Sequence, residues 1–156
     1  MQKTIRSLFI LLLVAGCGSR QDMGALLTAV EQGNHTYVIA RLNQGLDINA
    51  SDPGGVNLLI MASKTGDVVL LDYLLSNGAD VNHQTHKGIT ALMMAAKEGH
   101  TEILSLLVEN GADLSPLTSN GWSATILAAR YADRQTLDLL EKYENALQQA
   151  PALANN

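Results

Sequence analysis

Glycine recurs along this chain at one fixed interval, and that interval limits the folds the chain can adopt. Gly33, Gly66 and Gly99 lie 33 residues apart. Three short peptides keep the same interval: "GLDIN" at 45–49, "GADVN" at 78–82 and "GADLS" at 111–115. No insertion or deletion interrupts the further series, which are Gly55, Gly88 and Gly121, then Ala29, Ala62, Ala95 and Ala128, and finally Leu71, Leu104 and Leu137. Such a period predicts a stack of similar units, each contacting its neighbours, rather than one globular core.

Each unit is expected to contain two helices followed by a hairpin. In the unit that begins "TALMMAAKEGH", residues 91–98 favour a helix, and Gly99 can end it in the left-handed conformation. Residues 103–108 then place apolar side chains at the spacing of one helix face. Residues 112–121, "ADLSPLTSNG", are rich in turn-forming residues and predict an extended hairpin.

This unit resembles the ankyrin repeat. "KGITALMMAAKEGHTEILSLLVENGAD" follows the family pattern G-x-T-P-L-H-x-A-A-x-x-G-H-x-x-x-V-x-x-L-L-x-x-G-A-D, and the resemblance covers about residues 22–143. It implies an all-α solenoid of about four helix-turn-helix units with β-hairpin loops, here occupying residues 23–149.

The chain departs from the family in the T-P-L-H segment. Only Thr90 keeps the threonine. The proline is replaced by Ala25, Leu58, Ala91 and Ala124, and the histidine by Leu27, Ile60, Met93 and Ile126. We therefore expect apolar packing to replace most of the hydrogen-bonded turn that threonine and histidine make in the family.

No group of residues in the sequence predicts a catalytic site. The serines are scattered, and none lies in a Gly-x-Ser-x-Gly turn. Asp47, Asp80 and Asp113 share the 33-residue interval, which favours a structural role at the turn entering each hairpin over a catalytic one. His83 and His86 have no third ligand nearby in sequence, so neither a metal nor another cofactor is predicted.

The first 16 residues are typical of a signal peptide. Basic residues precede an apolar run at 8–15, which is too short to span a bilayer. "VAGC" at 14–17 resembles the lipobox of bacterial lipoproteins, which implies cleavage before Cys17 and acylation of its thiol. The alternative is an ordinary signal peptide followed by an incidental cysteine.

The lipoprotein resemblance also implies a location. The residue after Cys17 is Gly18. An aspartate there tends to retain lipoproteins in the inner membrane, so the outer membrane is favoured, with the chain facing the periplasm. We expect residues 17–22 to form an acylated tether and residues 150–156 a disordered tail. About six extended residues between Cys17 and the first helix would span roughly 20 Å.

The charge of the chain argues against nucleic acid as a partner. The full sequence has 10 basic and 15 acidic residues and a formal net charge of −5. Loss of Lys3 and Arg6 with the signal peptide would leave eight basic residues and a net charge of −7, with no basic cluster. Nucleic-acid binding proteins usually carry a basic patch, which this sequence lacks.

The ankyrin resemblance implies a protein-binding concave face, which we define by the hairpin ends and the ends of the first helices. Val56, Ile89 and Trp122 follow the repeat glycine of successive hairpins and should form one row. Neighbouring candidates are Pro53, His86, Lys87, Ser119 and Asn120 at the tips, and Lys64, Thr65, Lys97, Glu98, Arg130 and Tyr131 at the ends of the first helices. Aromatic residues and arginine are enriched at binding hot spots, which favours a contact role for the row. The alternative is that Val56 and Ile89 only support their hairpins as β-forming residues.

Two functions of different kinds are consistent with these patterns. Bacterial ankyrin lipoproteins include immunity or inhibitor partners of secreted effectors, phospholipases among them, so the resemblance implies a periplasmic inhibitor of a toxic effector. The alternative is an assembly or protective factor that tethers or stabilises an envelope enzyme. Either function would use a protein partner and a lipid anchor, and neither requires the chain to be an enzyme.

Overall fold

A computed structural model describes residues 20–153, which contain eight α-helices and no β-strand. The predicted all-α repeat fold is thereby confirmed. The helices are α1 (Arg20–Glu31), α2 (His35–Asn43), α3 (Leu58–Thr65), α4 (Val68–Ser76), α5 (Ala91–Glu98), α6 (Thr101–Glu109), α7 (Ala124–Tyr131) and α8 (Arg134–Leu153).

The helices form two layers, because equivalent helices of successive units pack side by side. The first helices α1, α3, α5 and α7 contact one another in that order, and the second helices α2, α4, α6 and α8 do the same. Each first helix also packs on the second helix of its own unit. The apolar core lies between the layers and is rich in leucine. The largest fully buried side chains are Leu26, Leu58, Leu59, Leu70, Leu71, Leu74, Leu92, Met93, Ile103, Leu104, Leu107 and Leu140.

Polar side chains cap the first helices of the three later units, where apolar packing was predicted to take over. Asn57, Thr90 and Ser123 precede α3, α5 and α7, and each accepts a hydrogen bond from the backbone N–H three residues later, at 2.9 to 3.2 Å. The prediction that the hydrogen-bonded turn is largely lost was therefore wrong for this half of the turn. Asparagine and serine replace threonine because all three can satisfy a free N–H at a helix start.

The apolar replacements of the family histidine pack as expected in three units and differ in the fourth. Leu27, Ile60 and Met93 are at most 9% exposed, whereas Ile126 is 48% exposed. The helices that carry the first three residues, α1, α3 and α5, each pack against the first helix of the next unit. In the described part of the chain, no further unit follows α7 to cover Ile126.

The predicted β-hairpin loops are tight turns rather than paired strands. Among residues 20–153 the only β-bridge joins Ser51 to Asn57. Five-residue turns at 52–56, 85–89 and 118–122 close the loop tips, and they leave too few residues for a ladder. Adjacent tips are joined by backbone hydrogen bonds from His86 to Gly54 and from Ser119 to Lys87.

The repeated aspartates have the structural role that their interval predicted. The Oδ1 atoms of Asp47, Asp80 and Asp113 accept hydrogen bonds from the backbone N–H two residues later, at 2.8 to 3.0 Å. Asn49 and Asn82 then accept from the backbone N–H of Asp80 and Asp113 in the next unit. The same two asparagines donate to carbonyl oxygens of that unit. These side chains therefore connect each loop to its neighbour.

Both ends of the helical stack extend beyond their expected positions. Helix α1 begins at Arg20 and so includes the last residues of the predicted tether 17–22. Helix α8 is 20 residues long and ends at Leu153, so it includes the start of the predicted tail 150–156. The Thr125 hydroxyl donates to the Glu144 carboxylate, and the Tyr143 hydroxyl donates to the Ser105 hydroxyl at 3.1 Å. These contacts attach the long final helix to the last two units.

Candidate functional site

The predicted row on the concave face is held in place by its loop tips. In each tip the row residue forms two hydrogen bonds through its backbone with one partner four residues earlier. The row residue's C=O accepts from the partner's N–H, and its N–H donates to the partner's side-chain oxygen, at 2.8 to 3.1 Å. The pairs are Asp52 with Val56, Thr85 with Ile89, and Thr118 with Trp122.

The partial burial of Val56, Ile89 and Trp122 is consistent both with a role in binding and with a role in supporting the loops. Val56, Ile89 and Trp122 are half-buried and pack against the apolar core. Each therefore helps to fix its loop on the helices. The part of each side chain that stays exposed gives the row a fixed apolar surface, because both backbone groups of each residue are already bonded.

Four of the predicted residues meet in one cluster of rings and cations. The ring centroids of Trp122 and Tyr131 lie 6.1 Å apart, and the ring planes are tilted by 35°. The Arg130 guanidinium carbon lies 5.2 Å from the Trp122 centroid and 5.6 Å from the Tyr131 centroid. The Lys97 ammonium lies 5.8 Å from the Tyr131 centroid. These distances are typical of cation–π contacts. We call these four residues the aromatic–cation cluster.

Two of the basic residues predicted on the concave face form ion pairs with glutamates. The Lys64 ammonium lies 3.0 Å from a carboxylate oxygen of Glu31, and the Lys97 ammonium lies 2.9 Å from one of Glu98. Sequence reasoning missed Glu31, although it precedes Lys64 by the same 33 residues that separate other equivalent positions. The equivalent residues of the later units, Lys64, Lys97 and Arg130, are all basic. The acidic Glu31 therefore gave no indication that it belongs to the same surface.

The remaining predicted contact residues are exposed and take no part in the ring contacts of the aromatic–cation cluster. His86, Lys87, Ser119 and Asn120 are exposed at the loop tips, where the backbones of the first three join neighbouring tips. The Thr65 hydroxyl donates to carbonyl oxygens one turn earlier in its own helix.

The histidines make structural contacts between units. His83 Nε2 lies 2.8 Å from the Gly55 carbonyl oxygen, and His100 Nε2 lies 3.3 Å from the Lys64 carbonyl oxygen. Among the described residues, no group of three histidine, cysteine or acidic side chains could hold a metal ion.

The titration of two aspartates is shifted by helix and turn contacts. The Ser115 backbone N–H and then its hydroxyl donate to Asp113 and lower the pKa of that carboxyl group. The Thr136 hydroxyl and then its backbone N–H lower the pKa of Asp133 in the same way. Both shifts favour carboxylates that are already ionised at neutral pH, so neither aspartate is prepared to act as a proton donor.

Cys17, the predicted lipidation site, lies outside the described residues. Among those that are described, no helix combines the length and the apolar character that crossing a membrane requires.

Comparison with known proteins identifies the family. A search of curated proteins found no match. A family model described as "Ankyrin repeats (3 copies)" matches residues 59–149. The match begins at the second residue of α3, includes α4 to α7 and covers most of α8. Helices α1 and α2 add one more helix pair before it. Ankyrin repeat domains are typically protein–protein interaction modules without enzymatic activity. The chain belongs to the ankyrin repeat family.

Proposed function

We propose that this chain is a lipid-anchored periplasmic protein that inhibits a toxic secreted effector, such as a phospholipase, by binding it through the concave face. The observation that carries the binding role is the aromatic–cation cluster formed by Lys97, Trp122, Arg130 and Tyr131. It continues the row of Val56 and Ile89, which packs on the same core.

The cluster has the physical character of a binding hot spot. Tyrosine, tryptophan and arginine dominate the energy of protein interfaces because they offer large contact areas with few rotatable bonds. Tyr131 is 51% exposed, and Trp122 is fixed through both backbone groups of its loop. A surface that is ordered before binding loses little conformational entropy when a partner docks.

Inhibition by covering a partner's active site requires no chemistry from this chain. Binding of this kind uses only the surface that the row and the aromatic–cation cluster present. The function that we propose depends on contact area and charge, and it requires no enzymatic activity of the chain itself.

The predicted lipid anchor would hold the stack close to a membrane. Helix α1 begins at Arg20, so only residues 18 and 19 separate it from Cys17. Three peptide steps reach about 10 Å at most, which is half of the span expected from the sequence. Such a short tether favours partners that act at the membrane surface, as a phospholipase does.

A site-specific crosslink tests the binding face. A photoreactive amino acid is placed at Ile89, on the row, and at Val69, which is 60% exposed on α4 in the other layer. We expect Ile89 to capture a periplasmic protein that Val69 does not. Equal capture from both positions would contradict the use of the concave face.

Assay of the captured protein then tests inhibition. We expect its catalytic activity to fall in proportion to the amount of this chain that is added. If its activity is retained and its thermal stability rises instead, the inhibitor role is wrong and the assembly or protective role is supported.

The anchor is tested separately by Cys17→Ser. We expect the variant to leave the membrane fraction or to accumulate unprocessed, whereas the parent chain should take up radiolabelled palmitate. The lipid anchor would be contradicted if Cys17→Ser stayed in the membrane fraction and the parent chain took up no palmitate. The proposed protein-binding role does not depend on this result.

A further inference from the structure

The concave face carries positive charge on a chain that is acidic as a whole. Eight basic and 15 acidic residues follow Cys17. Four of those eight basic residues, Lys64, Lys87, Lys97 and Arg130, belong to the concave face. The acidic residues Glu31 and Glu98 are paired with Lys64 and Lys97. Within residues 23–149, neither Lys87 nor Arg130 lies within salt-bridge distance of a carboxylate. With Asp52 in the first loop tip, this surface carries four positive and three negative charges, and its two cations without a carboxylate partner, Lys87 and Arg130, lie in the later units.

Arg130 is presented in a form that suits a carboxylate. Its guanidinium lies against the rings of Trp122 and Tyr131. It donates no side-chain hydrogen bond to any residue of the described part of the chain. Contact with the rings limits the motion of the side chain and leaves the N–H donors at its edge available. A planar guanidinium with free donors binds a carboxylate through two parallel hydrogen bonds.

Lys97 provides a second positive position beside the first. Its ammonium lies near the Tyr131 ring and pairs with Glu98, and that pair is on the surface. Surface ion pairs contribute about 0 to 1 kcal/mol, so a carboxylate from a partner could replace Glu98 at little cost. Helices of neighbouring units pack about 8 to 10 Å apart. This distance corresponds to one turn of an extended polyproline II chain, in which residues three positions apart lie about 9 Å apart on the same side.

We propose that the aromatic–cation cluster binds an extended acidic segment of the partner protein, with acidic residues about three positions apart. One carboxylate pairs with Arg130 and the next with Lys97, while apolar residues between them lie on Trp122 and Ile89. This inference rests on the proposed function, because it names the chemistry of the segment that the concave face recognises.

A pair of synthetic peptides tests the charge requirement. The first is a nine-residue peptide, capped at both ends, with glutamate at every third position and leucine and serine between. The second has glutamine in place of each glutamate. The full chain is titrated with each, and binding is followed by the fluorescence of Trp122, the only tryptophan. We expect the glutamate peptide to bind at least about tenfold more tightly, which corresponds to about 1.4 kcal/mol. We also expect this preference to fall as salt concentration rises.

Matched variants identify the residue that reads the charge. Arg130→Gln should remove most of the preference for the glutamate peptide. Lys142→Gln, which alters an exposed cation on α8 in the other layer, should leave the preference intact. Both side chains are exposed, so thermal unfolding should be similar for the two variants. Equal affinity for the two peptides, or an equal loss in both variants, would overturn the proposal.

Other anions provide a further arm of the test. Sodium phosphate and phosphatidylglycerol vesicles are titrated at the same total anion concentration as the glutamate peptide. We expect neither to change the Trp122 fluorescence to a comparable extent. If either does so in a manner that depends on Arg130, the cluster is a general anion or membrane site, and the acidic-segment proposal is wrong.

The partner captured by the Ile89 crosslink separates this inference from the proposed function. Loss of its binding in Trp122→Ala but not in Arg130→Gln would reject the acidic segment and retain the concave face. Retention of binding in both variants would reject both proposals.

Discussion

The backbone of Gly88 lies so close to that of Leu117 that a Cβ atom added to Gly88 would be 2.8 Å from the Leu117 carbonyl oxygen. Gly55, one unit earlier, lies equally close to the loop that follows it, because an added Cβ would be 2.9 Å from the Thr85 Cα atom. Gly121 has the equivalent position in the last loop, but a Cβ atom added there would have no neighbouring atom within 4 Å. Glycine is therefore needed at these positions for two reasons. Every loop has a positive φ angle there, and at Gly55 and Gly88 the next loop lies too close for a side chain.

This difference predicts unequal effects of two alanine substitutions. Gly88 and Gly121 have φ angles of 73° and 76°, so alanine at either position incurs the same left-handed strain of about 1 to 2 kcal/mol. Gly88→Ala must also displace the backbone of Leu117, which we expect to add about 1 to 3 kcal/mol. Urea unfolding of both variants measures the difference. Equal destabilisation would show that the loops separate freely and that their close contact contributes nothing.

The asparagine contacts between loops predict a second effect on stability. Asn82 accepts from the Asp113 N–H at 2.8 Å and donates to the Gly111 carbonyl oxygen at 3.2 Å. Each such bond contributes about 0.5 to 1.5 kcal/mol, so loss of both in Asn82→Ala should lower the free energy of unfolding by about 1 to 3 kcal/mol. Asn120→Ala is the control, since this exposed tip residue makes no side-chain hydrogen bond to another described residue. A similar loss in both variants would assign the effect to loop flexibility rather than to contacts between units.

The 33-residue interval allowed most of the fold to be predicted. Gly66 and Gly99 end α3 and α5 as expected, and the repeated aspartates bind the turns. The interval carries this information because equivalent positions face equivalent surroundings in a stack. The helix caps Asn57 and Ser123 escaped prediction, since residues of different type perform one role there. A comparison by residue identity does not detect such an exchange.

The candidate site was less predictable than the fold, because its contacts depend on side-chain conformation. The row of Val56, Ile89 and Trp122 could be placed from the interval alone. The stacking of Arg130 on two rings depends on the rotamers of three residues, which no spacing rule defines. The Glu31–Lys64 pair joins equivalent positions of opposite charge, so only the distance between their side chains reveals it.

The cap of α8 predicts a dependence of stability on pH. The lowered pKa of Asp133 means that the folded state favours the carboxylate that accepts from Thr136. This stabilisation is complete above the usual aspartate pKa of about 3.9 and is lost as the pH falls through the lower pKa of the folded state. We expect Asp133→Ala to lower the melting temperature at pH 7 and to have a smaller effect near pH 3.

An exposed aspartate within a helix provides the control for this pH effect. Asp72→Ala alters an exposed side chain within α4 that caps no helix, so it should change the melting temperature little at either pH. If the effect of Asp133→Ala is the same at pH 3 and pH 7, the carboxylate does not stabilise the start of α8.

The buried layer between the helices predicts a large effect at Leu104. This side chain is 0% exposed on α6, so Leu104→Ala should leave a cavity and destabilise the stack by about 2 to 5 kcal/mol. Leu117→Ala is the matched control, since its side chain is 56% exposed and should contribute little. Chemical denaturation measures both. Partner affinity of the folded fraction should be unchanged in Leu104→Ala, because the side chain is remote from the concave face.

Substitution of Trp122 should have the opposite effect to Leu104→Ala, with a large loss of binding affinity and a small loss of stability. Its half-buried ring packs on the core and supports Arg130, so Trp122→Ala removes contact area and also releases the guanidinium. Truncation of a hot-spot residue costs about 2 kcal/mol or more, which is roughly a thirtyfold loss of affinity. Because the ring is only partly buried, we expect a loss of folding stability of only about 1 kcal/mol.

Calorimetry with the partner captured through Ile89 measures the affinity, and thermal unfolding measures the stability. Val69→Ala, an exposed apolar substitution in the layer of second helices, should alter neither. Suppose that Trp122→Ala melts the stack as severely as Leu104→Ala and that the folded fraction binds with full affinity. The row would then be part of the core, its residues would only support their loops, and the partner would have to bind elsewhere on the stack.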